Sequence, residues 1–470
     1  MSASLSPSLP PAQHRRAPAL LWDVQEEHLN EAEFAFETWE RALSSPLHTL
    51  SEVRDGPEER LMAHTMGLIV GGPTVLDRLV RPVLERELDD DRYRTAAAAL
   101  ALLDGAGREG PDIVLAHLPR ARGEGFWGLV RALQISRRTD LDERMLAQLP
   151  ELDGPALGGR LEALDGRGVD VGRRLLVWLK HEHPAIRRIA ARLARRSSSS
   201  KVMRRLLPLM RQGDPWLRAT AIESALIRGL PGSWELACEA AFAPRTPPPL
   251  RKPALAWVAM QGDAGVHARL IAALASRPDP DLLSAAGITG RPDAVAVAIG
   301  LLDHPGLGRI AGEVVSAVLG LSTRDERFWL DEGAHGSYGV DPDEALPSLA
   351  ADDLDANLVP PELLRLRRPN ARAIRQWWRE AELEFSPALR YFGGRPLDLS
   401  TAISGLREAP MRRRQALALE LAIRSAGAAL LDCRASARTQ ITQLAAIFAS
   451  VGPGLDQAGE LDFQGGLPLM

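Results

Sequence analysis

The residues with the clearest potential for chemistry lie in "LVWLKHEHPAIRRIAARLARR", residues 176–196. His181, Glu182 and His183 are residue types that bind metal ions. A helical zinc site places its two histidines four residues apart, so that both imidazoles share one face of the helix. The two histidines here are only two residues apart and lie across a helix-ending turn. We therefore expect this motif to cap a helix at an interhelical corner, and we expect the protein to hold no metal or other cofactor.

Basic residues follow the histidines in an unusually dense run. Residues 180–211 contain ten basic side chains and a single acid, Glu182. On a helical wheel the apolar residues Ile186, Ile189 and Leu193 share one face, and arginines gather on the opposite face. The candidate partner-binding residues are therefore Arg187, Arg188, Arg192, Arg195, Arg196, Arg204 and Arg205.

Three interpretations of this basic run stay open. It could be a solvated helix face, or a face paired with one of two acidic stretches of the chain, 85–91 and 323–355. It could also be a docking surface, either for an acidic protein or for a phosphate backbone. An acidic protein is favoured over nucleic acid because the formal net charge is −4 and no aromatic residue interrupts the basic run.

Trp377 and Trp378 are a second candidate for partner binding. Neighbouring residues on a helix diverge by about 100°, so the two indoles cannot face the same side. We expect one of them to be buried and the other to lie at a surface, where exposed tryptophans favour interfaces.

Motifs for catalysis are missing from the sequence. It contains no nucleophile elbow, no phosphate-binding loop and no dinucleotide fingerprint. Its two cysteines, Cys238 and Cys433, exclude a disulfide framework and fit a reducing compartment. We find no secretory signal and no apolar run that could span a membrane. These observations predict a cytoplasmic protein that is not an enzyme and does not insert into a membrane.

A period of about thirty residues organises the chain between residues 73 and 320. Segments such as "HPAIRRIAARLARR" and "DPWLRATAIESALI" recur, and each begins with an apolar anchor. The eight anchors are Tyr93, Phe126, Leu157, Ile186, Leu217, Leu250, Leu282 and Leu307. Four residues after each anchor comes a small or apolar residue, which places two contacts on one helical face. These residues are Ala97, Val130, Leu161, Ala190, Ala221, Ala254, Ala286 and Ala311.

A second apolar helix lies between successive anchors, for example at 172–181 and 201–212. Two short helices per period, stacked along the chain, predict an all-α fold built as a right-handed α-solenoid of about eight helix pairs. In such a fold the stacked second helices present a continuous surface to a partner.

The ends of the chain differ from the repeats. Residues 323–355 contain ten acids but only two arginines. We divide the chain into six parts: a disordered tail (1–18), an N-terminal helical cap (19–72), the repeat solenoid (73–320), an acidic irregular insertion (321–368), a C-terminal helical region (369–452) and a flexible tail (453–470). Within the C-terminal region a helix pair is predicted to join at Ala409-Pro410.

The repeats resemble the HEAT-like (armadillo-type) family, in particular its short Asp-Pro-x-Val-Arg-x-x-Ala form. The ends, with "HLNEAEFAFETWERALSSPLHTL", "RYFGGRPL" and "RRRQALALELAI", are similar to an uncharacterised proteobacterial family of HEAT-like proteins, some encoded beside type VI secretion genes. The resemblance implies a non-catalytic, protein-binding scaffold that acts as an adaptor or chaperone for a secreted effector. The alternative is a HEAT-like enzyme that acts on nucleic acid, similar to an alkylpurine glycosylase, or on protein.

Overall fold

The computed structural model describes residues 20–85, 91–330, 365–455 and 461–466, the side chains of 450–455 apart. Its described residues are helical almost throughout, so the expected all-α fold is confirmed. The predicted tail 1–18 and most of the acidic insertion 321–368 lie outside the described residues.

The N-terminal region is a helical hairpin. Helix α1 (Trp22–Ala42) is followed by the short helix α2 (Leu50–Val53) and, after one π-helical turn at Arg54–Glu58, by α3 (Glu59–Val70). Thr49 and Glu52 form a capping box at the start of α2, in which each side chain accepts a hydrogen bond from the other residue's backbone N–H. Helix α1 packs along α3 and along the repeat helix Arg92–Gly105, as a cap at the end of the repeats would.

The repeat region alternates between two kinds of helix. It contains, in chain order, α4 (Pro73–Val75), α5 (Arg81–Glu85), α6 (Arg92–Gly105), α7 (Gly110–His117), α8 (Gly123–Ile135), α9 (Leu141–Gln148), α10 (Gly154–Gly166), α11 (Leu175–Trp178), α12 (Pro184–Leu193), α13 (Ser200–Leu206), α14 (Pro215–Ile227), α15 (Ser233–Phe242), α16 (Pro248–Gln261), α17 (Ala264–Ser276), α18 (Pro280–Ile288), α19 (Pro292–Gly300) and α20 (Gly308–Leu319). A π-helical turn at Leu76–Val80 joins α4 to α5, and a 3-10 segment at Leu207–Arg211 continues α13.

The even-numbered helices from α6 to α20 form a first row, in which each helix packs on the next even-numbered one. The odd-numbered helices from α7 to α19 form a second row. The first row carries the predicted anchors, and six of the eight are buried, whereas Tyr93 and Phe126 are half-buried. All eight residues at the position four after an anchor are buried, seven of them with no accessible surface. Small side chains at this position let neighbouring first-row helices approach closely, so the predicted packing pairs are confirmed.

The helix starts follow the predicted corners. Asp214 accepts hydrogen bonds from the backbone of Trp216 at 2.9 Å and of Leu217 at 3.3 Å. Asp279 accepts one from Leu282 at 2.8 Å. These aspartates satisfy backbone donors that have no partner inside the helix, which explains why these two repeats begin with Asp-Pro.

The C-terminal region contains α21 (Ala371–Ala381), a hairpin of β1 (Tyr391–Phe392) and β2 (Arg395–Pro396), α22 (Leu399–Glu408), α23 (Met411–Arg424) and α24 (Ala437–Leu455). The break between α22 and α23 falls at Ala409-Pro410, as predicted. The two-residue hairpin turn was not predicted; Gly393 and Gly394 form it with φ values of +60° and +77°, which only glycine adopts without strain.

Helix α23 packs against the first row, where it contacts α14 and α16. A buried ion cluster fixes this contact. Arg390, with no accessible surface, donates to the Glu420 carboxylate at 2.6 Å and 3.1 Å and to the backbone oxygens of Met260 and Thr289. Arg424 donates to the same Glu420 carboxylate at 3.0 Å. Helix α23 therefore lies on the first row of the repeats, whereas α21 contacts α19 of the second row.

The N-terminal hairpin also contacts the C-terminal region. The buried Glu58 carboxylate accepts a 2.5 Å hydrogen bond from the backbone N–H of Ala437 at the start of α24, and another from the Trp39 indole at 3.1 Å. A carboxylate at a helix N-terminus is favoured by the unpaired N–H groups and by the helix dipole. Arg131 donates to the backbone oxygen of Arg434 at 2.6 Å. The C-terminal region thus connects the beginning of the repeats with their end.

Residues 461–466 fall in the stretch that was expected to be a flexible tail. They pack on the protein instead: Phe463 is buried, and the Gln464 side chain bonds the backbone of Arg390 and Leu397. The predicted right-handed superhelix of the repeats stays a prediction, since it depends on the overall path of the helix stack and not on these local contacts.

Candidate protein-binding surface

The histidine motif lies at a corner of the repeats, between α11 and α12. The His183 Nδ1 atom accepts a hydrogen bond from the backbone N–H of Ala185 at 3.3 Å, and thereby caps α12. The His181 Nε2 atom lies 3.2 Å from the Asp153 carboxylate, which belongs to the preceding corner. The predicted capping role of this motif is therefore confirmed.

Arg192 near the end of α12 and Arg195 just after it are held by the neighbouring first-row helix α10. Arg192 donates to Asp165 at 2.7 Å and pairs also with Glu162. Arg195 donates to both oxygens of the same Asp165 at 3.1 Å. These side chains were expected to face a partner, or one of two acidic stretches; they face two acids of the repeat before them instead.

The positive and negative charges of this internal cluster offset each other. Burial opposes the ionisation of Asp165, but the charges of Arg195, Arg192 and Arg196 outweigh it and lower the pKa of Asp165 below its usual value. The carboxylate is therefore charged at neutral pH and neutralises the arginines around it. These arginines stabilise the stack and have little charge left for a partner.

The other three arginines of this stretch differ in their contacts. Arg187 donates to the backbone oxygens of His181 and Glu182 at 2.7 Å and 2.8 Å, and Arg196 lies 3.5 Å from the backbone oxygen of Asp165. Arg188 is half-buried and makes no side-chain ion pair with any described residue.

A distinct basic surface lies on the second row. We define it by seven exposed cations on or beside α11 and α13: Arg173, Arg174, Lys180, Lys201, Arg204, Arg205 and Arg211. Helices α11 and α13 contact each other, so that these side chains share one part of the molecule. No acidic residue occurs in 172–180 or in 200–211. None of the seven makes an ion pair with another residue in the described ranges.

Helical spacing explains why these cations point outward. Lys201, Arg204, Arg205 and Arg211 recur at helical intervals around Val202, Leu206 and Leu209, which are buried against the core. Exposed apolar atoms lie among them. Val177, between Arg174 and Lys180, is 70% exposed, which is unusual for a β-branched aliphatic residue on a short helix. The surface therefore combines free positive charge with apolar contact area.

The two predicted tryptophans are not exposed anchors. Trp378 is buried, with its ring 5.9 Å from that of Phe385, and Trp377 is half-buried with its ring 6.2 Å from that of Phe328. Both therefore belong to the packing of α21. An exposed indole occurs elsewhere: Trp216, at the corner after Arg211, is 56% exposed. The sequence could have indicated this exposure, because Trp216 lies directly after the Asp214-Pro215 corner and before Leu217, the anchor that packs into the core.

Both cysteines and His267 have strongly shifted pKa values, and all three lie in packed positions. Burial raises the pKa of both thiols, Cys238 and Cys433, to about 11. Burial and the nearby Arg390 and Arg291 charges lower the pKa of His267 to about 3, and this imidazole bonds the backbone oxygen of Ala259 at 2.9 Å. A neutral thiol is a poor nucleophile, and a histidine that stays neutral at pH 7 is a poor proton donor.

Comparisons with known proteins add little to these observations. No family model matches the chain, and no curated protein matches it. A similar solved structure is the crystal structure of an engineered protein, which is 16% identical, with a match that covers 60% of this chain and 87% of that chain at a TM-score of 0.29. No described helix is long and apolar enough to cross a membrane.

Proposed function

We propose that this protein is a non-catalytic scaffold that binds an acidic protein through the basic surface on its second row. The observation that supports this function is the set of seven exposed cations without an internal acidic partner. Cations that pair with acids inside the fold contribute to stability, whereas unpaired cations on one surface speed the encounter with an acidic partner and fix its orientation.

The position of the surface supports the same function. The C-terminal region covers part of the first row, so the second row is the more accessible side of the repeats around α11 and α13. The exposed Val177 supplies apolar area within the charged surface, and a protein partner uses both kinds of contact. A nucleic acid would use the charges and, in single-stranded form, aromatic side chains for stacking. No exposed Trp, Tyr or Phe occurs in 172–211, and the exposed Trp216 lies beyond this stretch.

The finer role stays a prediction from the resemblance of the sequence. A scaffold with one acidic partner would serve as an adaptor or as a chaperone for a secretion-system effector, in the cytoplasm. Identification of the captured protein decides between these roles.

A direct binding measurement tests the proposal. Fluorescence anisotropy would compare a labelled Glu/Asp-rich peptide that contains leucines with a labelled 20-base-pair DNA of equal concentration. We expect the double variant Arg204→Glu/Arg205→Glu to weaken peptide binding at least tenfold. The matched control is Arg245→Glu/Arg277→Glu, which reverses two exposed second-row arginines outside the basic surface.

Two results would contradict the proposal. Equal weakening by the control pair would show that only the overall charge of the protein matters. Tighter binding of the DNA than of the peptide, with a steep dependence on salt, would favour the nucleic-acid alternative instead.

A further inference from the structure

A cleft lies between the first row of the repeats and helix α23. Its volume is about 490 Å³, which is in the range of small-molecule sites. Three first-row helices, α16, α18 and α20, form one wall, and α23 forms the other. The lining is mainly apolar and includes Ala256, Ile288, Val314, Ala317, Ala416 and Leu419.

One end of the cleft is closed by the hairpin β1–β2. The last turns of all three wall helices contact this hairpin or the residue before it: Arg390 donates to the Met260 oxygen at 3.1 Å and to the Ile288 oxygen at 3.2 Å, and Gly393 donates to the Ala317 oxygen at 2.7 Å. The three wall helices therefore run in the same direction and end at the same place. Tyr391 and Phe392 line the cleft there, next to Glu420, whose charge is neutralised inside the protein.

The opposite end of the cleft is positively charged. Arg412, in the first turn of α23, is half-buried and has no side-chain partner among the described residues. Lys252, in the first turns of α16, lines the same cleft and forms an exposed ion pair with Asp281 at 3.5 Å. Because α16, α18 and α20 end at the hairpin, their N-termini lie toward the other end of the cleft, and their dipoles add to its positive potential.

The acids of the cleft are already neutralised. Glu313, at the charged end, is held by Arg413 with contacts of 2.7 Å and 2.9 Å. Glu420, at the closed end, is paired with Arg390 and Arg424. Of the two cations at this end of the cleft, Lys252 is paired with Asp281, and Arg412 supplies the uncompensated positive charge.

We propose that this cleft binds a small amphiphile with an apolar chain and one anionic head group. The chain would lie along α23 toward Tyr391 and Phe392, and the head group would lie between Arg412 and Lys252. The cleft extends from Lys252 to Met260 on α16, eight residues or about 12 Å of helix. This site is separate from the basic surface and does not depend on the proposed scaffold function.

Isothermal titration calorimetry with ten-carbon ligands tests the proposal, at concentrations below micelle formation. We expect decanoate or decyl phosphate to bind at least tenfold more tightly than decanol and than decyltrimethylammonium. A preference between the first two identifies a carboxylate or a phosphate as the head group. We expect Arg412→Gln to weaken the anionic ligands at least tenfold and to leave decanol unchanged, whereas Arg205→Gln on the basic surface should leave all four unchanged.

Filling the cleft provides an independent test. We expect Ala416→Phe to abolish binding of every ligand, with an unchanged circular dichroism spectrum; if that variant does not fold, Ala317→Leu narrows the same cleft with a smaller change. Equal affinity for anionic, neutral and cationic ligands, an unaltered affinity of the Arg412→Gln protein, or full binding by the filled variant would each overturn the proposal, as would no binding at all.

Discussion

The arginines of α12 and those of α13 are close in sequence but lie in different environments. Arg192 and Arg195 point along the first row toward α10, where Asp165 and Glu162 receive them. Arg204 and Arg205 are exposed on the second row and meet no acid of the described chain. The same residue type therefore stabilises the repeat stack in one helix and leaves free charge for a partner in the next.

The difference shows what a helical wheel can and cannot predict. A wheel separates an apolar face from a polar face within one helix. In a two-row stack, however, part of the polar face of a first-row helix faces the neighbouring repeat and not the solvent. An arginine on that face is a candidate for partner binding only if the adjacent repeat has no acid in register with it.

The largest effect on stability is expected at Arg390, the most deeply buried of the internally paired arginines. Arg390→Met removes the donor to Glu420 and to four backbone oxygens, and should lower the free energy of unfolding by about 3–5 kcal/mol. Urea denaturation, monitored by circular dichroism, measures this change in the free energy of unfolding. Arg395→Met, an exposed position of the same hairpin, is the control, and equal losses for the two variants would contradict the proposed structural role of Arg390.

A similarly large loss of stability is expected when Trp378 is replaced, but not when Trp216 is replaced. Trp378→Ala removes a buried indole and should cost about 3 kcal/mol, within the usual range for buried aromatic residues. Trp216→Ala removes an exposed indole and should cost less than about 1 kcal/mol. The thermal unfolding midpoints of the two variants test this difference. Similar midpoints would mean that Trp378 is not part of the packed region.

The repeat could be predicted from the sequence because it depends on local spacing. The anchors and the residues four positions later, such as Ile186 and Ala190, recur with the period of the repeat and are buried. The pairing of side chains between neighbouring repeats was harder to predict from the sequence. Glu162 follows its anchor by five residues, and Arg192 follows the next anchor by six, so superposed repeats would have placed them side by side.

The cleft and the covering of the first row could not be predicted in this way. They depend on contacts between residues far apart in the chain, for example Arg390 with Met260 and Glu58 with Ala437. No periodic pattern encodes such contacts, because each occurs once. The hairpin at residues 391–396 was missed for a related reason, since two residues per strand are too few to show alternation.

A smaller and pH-dependent effect is expected at Asp165. Asp165→Asn should destabilise the protein by about 2 kcal/mol at pH 7, because Arg192 and Arg195 lose their charged acceptor. The folded-state pKa of Asp165 is lowered, so its contribution is fully present above the unfolded-state pKa of about 4 and is lost as the pH falls through the folded-state value. Denaturation at several pH values should therefore show a constant gap between pH 5 and 7 that narrows below about pH 4. A gap that does not change with pH would contradict the ionised state of Asp165 in the fold.

The smallest effect on stability is expected on the basic surface itself. Arg173→Glu/Arg174→Glu and Arg204→Glu/Arg205→Glu should each change the free energy of unfolding by less than about 0.5 kcal/mol, because these side chains are exposed and make no internal ion pairs. The same variants should lose binding of the acidic peptide. Binding without a stability cost is what distinguishes a recognition surface from a structural one, so measuring both quantities on one set of variants is the sharpest test of the comparison. If reversal of Arg204 and Arg205 instead destabilised the protein as much as Asp165→Asn does, these arginines would have a structural role like that of Arg192 and Arg195. That result would contradict the proposal that the basic surface binds a partner.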